Sequence, residues 1–190
     1  MIHLFLRQTA AGLALACSLT ATAWAGALTS RSLELQGIRF LVQSSGEGSQ
    51  QQLTITIQGA RNPIAPIRRT IDGQMVDAEV ADLNADGQPE IYVFVHGAGS
   101  GSYGELVAYA LNNGRSLTPI TLPELRGPLA QGYQGHDRFA VVENCLARRF
   151  PIYRPGDNNS RPTGGLRQIC YRLRAGEAGW ILRPEDWLTL

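Results

Sequence analysis

The residues best suited to chemistry fall in two neighbouring segments. In the first, Asp82-Leu83-Asn84-Ala85-Asp86-Gly87-Gln88-Pro89-Glu90 places oxygen-bearing side chains at positions 1, 3, 5 and 9 and a glycine at position 6. A hard cation such as calcium takes several oxygens, and alternate residues of a tightly wound loop can turn theirs toward one centre while glycine permits the bend. Position 12, where helix-flanked calcium loops carry a bidentate Glu, is Val93, so Glu90 would have to stand in for it. Asp82, Asn84, Asp86 and Glu90 are the candidate metal ligands. The same residues would also make a metal-free turn between two strands, with Asp82 and Asp86 accepting from backbone N–H groups.

The second segment is His96-Gly97-Ala98-Gly99-Ser100-Gly101-Ser102-Tyr103-Gly104. Gly99 to Gly104 satisfies G-x-G-x-x-G, but a dinucleotide site also needs a crossover helix, and a strand-like run follows instead. The nucleophile-elbow pattern G-x-S-x-G fails, because Ala98 and Ser100 stand where its first glycine belongs. A hydrolytic triad drawn from Ser100 or Ser102, His96 or His136 and an Asp remains the enzymatic alternative. Otherwise the segment is a glycine-rich protrusion bearing hydroxyls and one phenol. Its glycines let the backbone approach another surface closely, and Tyr103 offers a stiff contact with a polar end. The competing reading is a hairpin tip without a role.

The elements that carry these segments are strands. Gln52 to Gln58 alternates strictly and puts Leu53, Ile55 and Ile57 on one face, the pattern of a half-buried strand. Ile38 to Val42, Met75 to Val80, Ile91 to Val95, Leu106 to Leu111, Phe139 to Val142, Cys145 to Tyr153, Leu166 to Leu173 and Trp180 to Leu182 are further candidates. Asp72-Gly73, Asp86-Gly87 and Asn113-Gly114 supply turns between them. Gly104 to Leu111 and Leu122 to Gly132 admit a helix, though neither is amphipathic over any length. The expected architecture is all-β, an antiparallel sandwich or flattened barrel of about eight strands.

Arg7, the apolar run Ala10 to Leu19 and Ala23-Trp24-Ala25 make residues 1–25 a secretory signal peptide, leaving 26–190 as one β domain with a loose leader over 26–32. The apolar run is too short to anchor the chain across a bilayer. Acylation at Cys17 is the alternative fate of this segment. The 190-residue chain has a net charge of +1, carried by Arg without any Lys. Without Arg7 it is formally neutral, which excludes a charge-driven nucleic-acid binder. In an exported chain Cys145 and Cys170 form an even pair, read as a disulfide, with a catalytic or metal-bound thiol as the alternative.

Several motifs in one order resemble the periplasmic inhibitors of invertebrate-type (I-type) lysozyme: Asp82 to Glu90, Ile91 to Val95, Gly99 to Gly104, Ala108 to Gly114, Phe150 to Tyr153, Pro162 to Gln168 and Gly176 to Trp180. The resemblance spans Met75 to Pro184, and the N-terminal third adds little. It implies a periplasmic β-sandwich-like protein that is not an enzyme and needs no cofactor, with I-type lysozyme as partner. It further implies that Ser100-Gly101-Ser102-Tyr103, an S-G-x-Y loop, enters the lysozyme cleft. Ser100 and Tyr103 would make the contacts, Gly99, Gly101 and Gly104 would shape the loop, and Ser102 and His96 would assist. The resemblance also allows a homodimer. The cysteine pair is not a hallmark of that family. A calcium-dependent binding module built on Asp82 to Glu90 is the competing function.

Overall fold

The computed structural model describes residues 28–190. The signal peptide expected over residues 1–25, and Cys17 with it, lies outside the described residues. Twelve strands, rather than about eight, form two sheets, and the only helical turn among the described residues is 3-10, at Gly127–Ala130. Gly104 to Leu111 is strand and not helix.

The small sheet is a meander of β1 (Thr29–Leu35), β2 (Ile38–Ser45), β3 (Gln50–Gln58) and β4 (Ile67–Asp72), all antiparallel. Alternation fixes its register: Phe40 faces Ile57 and Val42 faces Ile55, and Phe40, Val42, Leu53 and Ile55 are fully buried. The supposed leader is corrected here, because β1 begins at Thr29 and pairs with β2 along its length.

The large sheet runs in the order β5-β6-β7-β8-β12-β11-β10-β9. Its strands are β5 (Gln74–Ala81), β6 (Glu90–His96), β7 (Gly104–Asn112), β8 (Ser116–Thr121), β9 (Arg138–Val142), β10 (Cys145–Pro151), β11 (Leu166–Ala175) and β12 (Trp180–Thr189). Two antiparallel meanders are joined where β8 meets β12 in parallel through Trp180 and Ile181. The sheet curls until its edges β5 and β9 approach each other, and the Val141 N–H donates to Glu79 Oε2 at 2.7 Å across the gap. Cys145 on β10 and Cys170 on the adjacent β11 are joined by a disulfide, their Cα atoms 5.6 Å apart.

Strand β6 is the spine. Ile91, Val93 and Val95 belong to the core shared with the small sheet, whereas Tyr92 and Phe94 project from the opposite face into the core enclosed by the curled sheet. Burial on both faces explains why this segment is continuously apolar rather than alternating. The spine ends at Glu90 on one side and His96 on the other, so each chemically suggestive segment hangs from one end of it.

Candidate functional site

The loop Gly97–Tyr103 joins β6 to β7 as an antiparallel hairpin, which rules out the crossover geometry of a dinucleotide site. The Gly97 N–H donates to Tyr103 O at 2.9 Å, and the Ser102 N–H closes a turn onto Gly99 O at 2.9 Å. Ser102 takes a positive φ of 41°. The tip is tied to two other segments. The His136 N–H donates to Gly101 O at 2.6 Å, and Asn159 Nδ2 donates to Ser100 O at 2.8 Å. Asn159 is itself held, accepting on Oδ1 from His136 Nε2 at 3.0 Å and on its carbonyl from the Tyr153 hydroxyl at 2.9 Å.

These ties occupy the backbone and leave the two side chains of interest outward. Ser100 is exposed, and Tyr103 is 54% exposed, an unusual value for so large a ring. Tyr103 nevertheless rests on a floor. Its ring meets Tyr133 edge-on at 5.6 Å and lies over Gly101, where a Cβ would come within 2.5 Å of Tyr103 Cε2. Gly135 completes the floor with φ +91°, and a Cβ there would fall 2.1 Å from Gly101 O. Only glycine accommodates both the left-handed backbone and that approach. A Cβ at Gly104 would strike Asp137 and Phe139, whereas Gly99 has open space around it.

Beneath the loop lies a buried charged network that sequence reasoning missed. Asp137 is fully buried and accepts the Gly104 N–H at 2.7 Å and the Tyr133 hydroxyl at 2.6 Å on Oδ2, and Arg148 Nε at 2.7 Å on Oδ1. Arg148 Nη2 also donates to the Tyr133 hydroxyl at 2.8 Å, and the guanidinium lies over the Tyr133 ring at 5.0 Å. Burial works against the charge on Arg148, yet the hydrogen bond and charge of Asp137 outweigh it and hold the group above its ordinary pKa. The His96 Nε2–H donates to Asp137 O at 2.7 Å. His96 therefore braces the loop from below. Neither His96 nor His136 is bonded to a serine hydroxyl among the described residues, so the triad alternative is not assembled.

The candidate metal ligands are also brought together. Asp82, Asp86 and Glu90 each offer an oxygen, and these oxygens lie within 4.8 Å of one another. Asp82 accepts from the Asp86 and Gly87 N–H groups at 3.0 and 2.9 Å, and Asn84 Oδ1 accepts from the Asp86 N–H at 3.1 Å.

The β-hairpin loop thus offers a hydroxyl and a phenol to solvent over an interior brace. The family described as periplasmic lysozyme inhibitor of I-type lysozyme matches residues 29–124, half of the 190-residue chain, and the chain belongs to that family. Membership implies a periplasmic inhibitor of I-type lysozyme. No curated protein matches the chain. The matched span takes in the small sheet and β5 to β8 with the hairpin loop. The first strands, read in the sequence as adding little, lie inside it, and the motifs from Phe150 onward lie beyond it.

Proposed function

We propose that the loop from Gly99 to Gly104 enters the substrate cleft of I-type lysozyme and blocks it competitively. The observation that carries this reading is the exposure of Ser100 and Tyr103 on a loop whose backbone is tied to the interior. A loop ordered before binding loses little conformational entropy on binding, so more of its contact energy appears as affinity.

A glycosidase cleft presents two carboxyl groups about the scissile bond, one protonated and one ionised. The Ser100 hydroxyl can donate to the carboxylate and accept from the acid, satisfying both at once. The Tyr103 ring can fill a sugar subsite by stacking while its hydroxyl finds a polar partner. Neither side chain contains a glycosidic bond, so the enzyme has nothing to cleave. In this reading Gly101 and Gly104 permit the close packing under the loop, Gly99 keeps its tip slim, and Ser102 and His96 support it.

Competition with a soluble oligosaccharide substrate tests the proposal. The apparent inhibition constant for I-type lysozyme is expected to rise in proportion to substrate concentration above KM. An inhibition constant independent of substrate would place the contact outside the cleft and reject it.

A further inference from the structure

At the opposite end of β6 from the inhibitory loop, Glu90 opens the strand with 1% of its surface exposed. Its Oε2 accepts the Leu83 N–H at 2.8 Å and a longer bond from the Tyr92 hydroxyl at 3.3 Å. Its Oε1 is buried and meets no hydrogen-bond partner among the described residues. Buried carboxylate oxygens are ordinarily satisfied, because an unpaired one forfeits its hydration without compensation.

What faces Glu90 is more negative charge. Asp82 and Asp86 each bring an oxygen into a set that spans no more than 4.8 Å. Oxygens bound at about 2.3–2.6 Å to one calcium ion can lie at most about 5 Å apart, so the three fit around a single centre. No Arg among the described residues forms an ion pair with any of them. Arg172 and Arg174 line the same groove, but both are engaged by Glu185.

We propose that Asp82, Asn84, Asp86 and Glu90 form a calcium site that pins the β5–β6 connection. The Asn84 amide lies beside the carboxylates, its Oδ1 accepting the Asp86 N–H at 3.1 Å and its Nδ2 donating to Asp86 Oδ2 at 2.9 Å, so that its oxygen is at hand for the ion, and the exposed rim at Asp86 leaves room for water to complete the shell. An all-oxygen set on an irregular loop suits calcium better than magnesium, which demands near-octahedral geometry and gives up its water reluctantly. The site is separate from the inhibitory surface and does not depend on how that surface acts.

The test is titration of the chelator-treated protein with calcium chloride, followed by calorimetry and by melting temperature, with magnesium chloride in parallel. Saturable binding to one site is expected, with a dissociation constant of about 10⁻⁴–10⁻³ M or tighter. A melting-temperature rise of about 5–10 °C is expected at a hundredfold excess over that constant. Asp86→Asn, at an exposed position, should weaken binding at least tenfold. Glu90→Gln should fold in chelator at least as stably as the parent, because it removes the stranded charge, and should gain nothing from calcium. No heat and no melting shift at millimolar calcium, equal response to magnesium, or undiminished binding by both variants would overturn the assignment. If Glu90→Gln fails to fold, Asp86→Asn decides by itself.

Discussion

Asp137, fully buried, ties the loop proposed as inhibitory to the interior of the protein. One carboxylate receives Gly104, Tyr133 and Arg148, and its own carbonyl receives His96. Removing one partner of a buried ion pair leaves the other charge uncompensated, which typically costs about 3–5 kcal/mol. Asp137→Ala is therefore expected to lower stability by that amount in urea unfolding. A loss below about 1 kcal/mol, the range of an exposed pair, would show that the network does not hold the loop. Ser100 and Tyr103, exposed on the loop proposed to make the contacts, drew notice in the sequence because glycines, hydroxyls and a phenol crowd one stretch. Asp137 was not, since a lone Asp beside His136 carries no pattern. Arg148 did leave a signal: it alternates with Leu146 and Phe150 on β10, all three inward, and an Arg at such a position requires an anionic partner.

Among the elements, the Gly97–Tyr103 loop is seated on the segment that carries Gly135 and His136. Gly135 has φ +91° and its absent Cβ would lie 2.1 Å from Gly101 O. Gly156 has nearly the same φ, +92°, with nothing within 4 Å, and so serves as a control for backbone strain alone. Gly135→Ala is expected to weaken inhibition at least tenfold, and Gly156→Ala to leave it unchanged at a stability cost of about 1 kcal/mol from the strained backbone. Equal inhibition by both would mean that the seating is unimportant. Strands with strict alternation, such as β3, were legible, and so was the doubly buried β6. The sequence did not announce β1 and β4, whose residues are mostly exposed because they flank the small sheet. β8 was hidden by Pro119, which it tolerates because it meets β12 only at its end. β12 extends beyond Leu182 because a bulge opposite Cys170 and Tyr171 lets Pro184 into the strand.

For the whole molecule, the two sheets and the parallel closure of β8 on β12 depend on contacts distant in sequence, which periodicity cannot report. The disulfide was legible from the cysteine count, and its place between neighbouring strands follows from the fold. Reducing it should lower stability by about 3 kcal/mol on the chain-entropy account, read as a fall in melting temperature with reductant. Neither cysteine belongs to the loop's brace, so inhibition at 25 °C should persist after reduction. The most direct measurement is inhibition of I-type lysozyme by the Ser100→Ala, Tyr103→Ala double variant, with melting temperature recorded alongside. Both side chains are directed outward, so a melting temperature close to the parent's and an inhibition constant raised at least a hundredfold are expected. A folded double variant that inhibits as strongly as the parent would contradict the proposed role of the loop.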